Sequence, residues 1–226
     1  PEGGRRYALL LDVAGEEEGG GAVQLSFLSP TRRDATALTV VDVEARQDAL
    51  PRYRVVDRRL WLGVRHTALF DQITALAEHW RAGWIVVDAT GIGAGLASFL
   101  AKALPGRVIP VVFSSSVKSQ LGWGFVGAVE TGRFKDYVED GRPDTRQFWY
   151  EVEHCAYEIL PAPGERIRWG VWESPGYDGV ISRGHDDLLV SAALCTELDE
   201  RLCPNTGSAE VVRRADPLDE IDGAAW

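Results

Sequence analysis

Two apolar runs in this chain each end in an acid. Tyr7 to Leu11 is continuously apolar and meets Asp12; Trp84 to Val87 is the same and meets Asp88. Runs of this length without alternation predict central strands covered on both faces, here residues 5–13 and 84–88. Thr36 to Val43 is rich in β-branched residues and predicts another strand. Tyr53 to Leu62 predicts a further one, with Tyr53, Val55, Leu60 and Leu62 apolar and charges between them. Residues 22–28 read as a short strand or hairpin arm, and short loops make these neighbours antiparallel. Leu69, Ile73, Leu76 and Trp80 share one helical face, predicting a helix from His66 to Trp80 that Gly83 ends. After Asp88, a glycine-rich turn, a helix from Leu96 to Leu104 and a strand from Arg107 to Phe113 make a parallel strand–helix–strand unit.

Ser114 to Ser116 open a helix that runs to about Gly132, and Asp144 caps another from Thr145 to Leu160. Ile167 to Trp172 and Gly179 to Ser182 predict a β-hairpin around Pro175-Gly176. The hairpin leads into Gly184-His185-Asp186-Asp187, the start of a last helix whose Ser191, Ala192 and Ala193 let another element pack closely. The fold class is therefore α/β. A mixed central sheet, three antiparallel strands then parallel ones, is flanked by helices, with an extra β-hairpin before the C-terminal helix.

Length divides this into one domain over residues 1–198 and an acidic flexible or docking tail over residues 199–226, where Pro, Asn, Gly and acids dominate. No apolar run approaches about 18 residues, so no membrane span is expected. Pro1 and the absence of Met point to a piece cut from a longer chain. Cys155, Cys195 and Cys203 are scattered and odd in number, against a disulfide framework or zinc site and for a reducing compartment. The formal charge of -10 opposes a simple nucleic-acid footprint, yet an acid cluster that holds cations contributes to such a balance.

One Asp suffices to cap a helix, so the pair Asp186 and Asp187 beside His185 points to a metal site, completed by Asp12 and Asp88. In a sheet where their strands are neighbours, Asp12 and Asp88 converge, and a helix laid across that sheet brings the third carboxylate. Such a cluster suits Mg²⁺ or Mn²⁺. Two ions about 3.5–4 Å apart support phosphodiester hydrolysis, with the acids as ligands and not nucleophiles. Positions suited to DNA contact are Ser115 and Lys118 at a helix start, Arg133 and Lys135 after that helix, and Arg166, Arg168 and Arg183 around the hairpin, where Trp169 and Trp172 add aromatic surface. A serine N-cap and snorkelling arginines explain the same residues without DNA. Gly91, Gly93 and Gly95 raise a dinucleotide-binding alternative, but the spacing is GxGxG and Asp88 precedes it. Neither HExxH, GxSxG nor GxxxxGK[ST] is present.

The order of Leu10-Leu11-Asp12-Val13-Ala14, Arg33 to Val41, Ile85 to Gly93, Lys118, Ala128 to Arg133, and Gly184-His185-Asp186-Asp187 resembles the RNase H-like nucleases. It is most similar to the C-terminal nuclease domain of the large terminase subunit of tailed bacteriophages, over roughly residues 5–198. The resemblance implies metal-ligand and catalytic roles for Asp12, Asp88 and one or both of Asp186 and Asp187, with Asp187 favoured. Asp34 becomes a peripheral acid and His185 an auxiliary residue. It also implies a Mg²⁺- or Mn²⁺-dependent endodeoxyribonuclease that cuts concatemeric double-stranded DNA in the infected host's cytoplasm. Its partners would be an ATPase motor domain of the parent protein, a portal and a small terminase subunit. A Holliday-junction-resolvase or transposase-like nuclease, or a non-catalytic DNA- or portal-binding module, is the alternative. Two departures stand out: the stretch between Asp12 and Asp34 is long, and position 190 is Val where many relatives carry an acid.

Overall fold

The structure is a computed structural model that describes residues 1–13, 35–47, 49–137, 140–161, 166–171, 174–175, 181–182 and 185–203. Strand β1 (Tyr7–Asp12) pairs antiparallel with β2 (Ala35–Arg46), which pairs antiparallel with β3 (Ala49–Leu62). Helix α1 (His66–Trp80) then leads to β4 (Ala82–Asp88), which pairs parallel with β1 on its free side. Helix α2 (Gly93–Ala103) leads to β5 (Val108–Val111), parallel to β4. After α3 (Ser115–Glu130), the two-residue β6 (Phe134–Lys135) joins β3, giving a six-stranded sheet in the order β5-β4-β1-β2-β3-β6. The order of antiparallel then parallel strands is the one the sequence predicts.

Burial of β1 explains its unbroken apolar run. Leu9 and Leu11 face Leu69 and Ile73 of α1 and Leu96 and Leu100 of α2 in one core. Ala8 and Leu10 face the other core, with Leu121 and Phe125 of α3. Because side chains alternate along a strand, even positions of β1 and β4 share this second face: Val86 belongs to the same core as Ala8 and Leu10. Asp12 and Asp88 are the next even positions at the ends of their strands.

Four local expectations change. Helix α1 ends at Arg81, which takes the left-handed conformation at φ 51°, while Gly83 lies inside β4. Helix α4 (Pro143–His154) starts with a proline preset for the first helical position, and Arg142 rather than Asp144 is its N-cap residue. That helix stops six residues before Leu160 because Cys155–Ile159 forms β7. Its partner is β8 (Ile167–Val171), in an antiparallel pair that sets Glu158 directly opposite Arg168 at 2.7 Å. So β8 folds back on β7, while the hairpin around Pro175 is the separate short ladder of β9 (Ser174–Pro175) and β10 (Ile181–Ser182). Cross-strand pairing of β-formers with an opposite-charge pair outweighs the helical reading of 155–160.

The last helix, α5 (Asp187–Ala193), lies on the sheet over β1 and β2 and is followed by a 3₁₀ turn (Leu194–Leu198) and α6 (Asp199–Leu202). Ser191 Oγ donates to the Leu10 carbonyl at 2.8 Å, a contact that only a small side chain permits. Folded structure continues past residue 198: Asp199 accepts bonds from Tyr53 and Arg133, and Cys203 Sγ donates to the Ala49 carbonyl at 3.0 Å. Among the described residues, no helix is long and apolar enough to cross a membrane.

Candidate metal centre and active site

Leu11 pairs with Val87 in the parallel ladder, so Asp12 and Asp88 emerge side by side at the ends of adjacent strands. Asp88 is 7% exposed, and its Oδ1 accepts the Thr90 amide at 2.8 Å. Thr90 Oγ1 in turn accepts the Phe113 amide at 2.8 Å, tying this turn to the segment before α3. The turn needs Gly93: a Cβ there would strike the Asp88 carbonyl. Gly91 is left-handed, at φ 56°. The glycines thus bend the chain tightly around Asp88, and Asp88 itself uses the Thr90 amide that a dinucleotide phosphate would need. This geometry opposes the dinucleotide alternative.

Asp12 is closely surrounded yet keeps an opening to solvent. Burial first, then the charges of Asp187, Asp88 and Asp186, push its carboxyl well above the usual range, while Lys118 acts in the opposite sense. Asp88 is raised as well, mainly by burial, and is lowered in part by Thr90, by Lys118 and by a side-chain hydrogen bond with Asp12. Two carboxyls that share a hydrogen bond while burial raises both are a pair short of positive charge. Three acids thus act on Asp12 against Lys118. As placed, no three His, Cys, Asp or Glu side chains among the described residues form a ready ligand cage. The donor set is nonetheless hard oxygen, as Mg²⁺ and Mn²⁺ require.

The two acids at α5 point differently. Asp187 is the first helical residue and acts more strongly on Asp12 than Asp186 does. Its Oδ2 lies 3.4 Å from Nδ1 of the exposed His185. Asp186 occupies the N-cap position but makes no side-chain cap bond. Its carboxylate is turned onto β8, against Gly170 at φ 145°, where a Cβ would collide with Oδ2. The capping role read from sequence is therefore not Asp186's.

Sequence reading missed Glu151. It is fully buried in α4, and its Oε2 accepts the Leu189 amide of α5 at 2.9 Å while Oε1 accepts Gln147 Nε2 at 3.1 Å. Burial pushes its carboxyl up to about 8, with Asp187 and Asp186 adding to the rise. The one signal available in the sequence was an acid on the helical face of Phe148.

The DNA-contact candidates separate. The charge of Lys118 acts on Asp12 and Asp88, and its carbonyl accepts Trp169 Nε1 at 2.6 Å, which ties α3 to β8. Gly122 leaves the space that the indole fills. Ser115 is exposed at the start of α3, where Ser114 supplies the cap by accepting the Val117 amide. Arg166 is exposed; Arg168 is exposed beside Glu158. Arg133 and Lys135 are elsewhere. Lys135 pairs with Arg54, Arg54 with Asp42 and Asp42 with Tyr7, at the start of β1. Asp12 is five residues further along, roughly 17 Å at about 3.3 Å per residue. Arg133 is also committed to Asp199, in two hydrogen bonds at 3.0 and 3.1 Å, and to the Pro51 carbonyl. Asp34 and Arg183 lie outside the described residues.

No curated protein matches the chain. Among solved structures, the large terminase nuclease from thermophilic phage G20c shares this fold at 18–19% identity. Its cobalt-bound form aligns with a TM-score of 0.58 over 86% of this chain and 81% of that one. The magnesium-bound form gives 0.59 over 87% and 82%, and the zinc-bound form 0.53 over 86% and 81%. The family profile described as a terminase RNase H-like domain matches residues 28–195. The chain belongs to the terminase RNase H-like domain family.

Proposed function

We propose that this domain is a metal-dependent DNA endonuclease that cuts concatemeric DNA during genome packaging. The observation that supports it most is the pairing of Asp12 and Asp88 on adjacent strand ends, with the charge of Asp187 acting on Asp12 from the helix laid above. Asp12, Asp88 and Asp187 would hold Mg²⁺ or Mn²⁺, two ions in the full site, and Asp186 would serve as a flanking acid. Bound divalent ions would acidify the attacking water and stabilise the leaving 3′-oxygen. The Thr90 amide fixes the orientation of Asp88. Lys118, beside both strand-end acids, would draw in the scissile phosphate, and Ser115, Arg166 and Arg168 would meet the DNA backbone outside the pocket. The metals bound in the phage G20c structures fit this reading. So does a parent protein that supplies a motor domain, portal and small-subunit contacts in the host cytoplasm, with residues past the folded body serving as a docking tail.

The test is plasmid cleavage by the purified chain with Mg²⁺ or Mn²⁺. Metal-dependent nicking or linearisation that Asp88→Ala abolishes is the expected result. Full activity of that variant would overturn the site. Preference for branched over linear duplex would move the assignment to a junction-resolving nuclease. DNA binding without cleavage at any metal concentration would make the domain a binding module.

A further inference from the structure

We infer that Glu151 is a positioning residue for the metal ligands: a buried carboxyl on α4 caps α5 from outside and sets the angle at which Asp187 enters the site. The inference rests on the nuclease reading above. In a helix, the first amides have no partner within the helix. In α5 the first internal bond runs from the Val190 amide to the Asp186 carbonyl at 2.8 Å, so the Leu189 amide needs an acceptor from elsewhere. The residue in the N-cap position, Asp186, does not provide one. Glu151 does, and Gln147 one turn earlier on α4 holds its other oxygen. Borrowing the cap from another helix spares Asp186 that role. Asp186 can then lean onto Gly170, and Asp187 can act on Asp12. Glu151 is itself fully buried with both oxygens engaged, so it orients the ligands rather than joining them.

The measurement is Mn²⁺ affinity, read as loss of the free-ion electron paramagnetic resonance signal, on the intact chain without DNA. Wild type is compared with Glu151→Gln, Glu151→Leu and Asp88→Ala, and melting temperature is recorded for each. Glu151→Gln keeps an oxygen for the Leu189 amide and should bind within about threefold of wild type. Glu151→Leu removes the acceptor and should weaken Mn²⁺ binding about 10- to 100-fold, the usual scale for groups that orient ligands. If Glu151→Leu only melts earlier and binds Mn²⁺ normally while folded, the carboxyl is structural and the inference fails. It fails equally if Glu151→Gln binds as weakly as Glu151→Leu, because the lost charge, not the cap, would then matter. Should Glu151→Leu not fold, Glu151→Ala, which also removes the acceptor, is measured in its place and judged by the same outcomes. Absence of Mn²⁺ binding by wild type, or undiminished binding by Asp88→Ala, would instead refute the metal site on which the inference stands.

Discussion

The two faces of the sheet bury different things. Beneath α1 and α2, Leu9, Leu11, Leu38, Ile85 and Val87 meet Leu69, Ile73, Leu96 and Leu100, and the packing is aliphatic from both sides. Beneath α3, α4 and α5, the same strands present Asp88 and Arg58 as well as Leu10 and Val86, and the helices answer with Glu151 and Ser191. Arg58 is completely buried, its charge met by Asp136 at 2.7 Å and by the ring of Phe148 at 3.8 Å. Burying aliphatic area stabilises by about 1.5–3 kcal/mol per large side chain, whereas burying charge destabilises unless it is paired. One face thus carries the stability that allows the other to hold carboxyls together against their repulsion.

The sharpest way to separate the faces is to neutralise one acid. Asp88→Asn keeps the acceptor for the Thr90 amide but removes the charge. It should lower the cleavage rate about a thousandfold, roughly 4 kcal/mol of transition-state stabilisation, without lowering the metal-free melting temperature. A large loss of stability with it would show that both faces serve the fold alike. Ile73→Ala on the aliphatic face should do the reverse: about 3 kcal/mol less stable in denaturant unfolding, with normal cleavage by the folded fraction.

Arg133→Ala sharpens the contrast within the charged residues. It strands Asp199 and should cost about 2 kcal/mol of stability, while DNA affinity and cleavage stay near wild type. Weakened DNA binding in a filter or mobility-shift assay, with stability intact, would return Arg133 to the DNA surface.

The last expectation concerns pH dependence. A carboxyl whose folded pKa lies above its unfolded value stabilises the fold fully below the unfolded value and loses that contribution as pH rises through the folded one. For Glu151 that window runs from about 4.5 to about 8, and Asp12 and Asp88 act in the same direction. The metal-free melting temperature should therefore fall across the window. Added Mg²⁺ should restore more at the alkaline end. A rise with pH would contradict the burial of these acids.

Much of this was legible in the residues. Unbroken apolar runs marked β1 and β4 as central, and strand alternation put Asp12 and Asp88 on one face. The small residues after Asp187 announced a helix pressed against the sheet. What failed depended on long-range partners. Cys155 to Ile159 has no strand signal strong enough to override the preceding helix until Ile167–Val171 lies beside it. Glu151 looks like an ordinary helical acid until Leu189, 38 residues on, presents its amide. The Arg133–Asp199 pair was hidden as well, because Asp199 falls in a stretch that reads as tail.

Anomalous diffraction from crystals soaked in Mn²⁺ would locate the metal itself. Density within about 2.0–2.3 Å of carboxylate oxygens from Asp12, Asp88 and Asp187 together is the expected result. Density elsewhere, or those three side chains turned away from a shared centre in the soaked crystal, would contradict it.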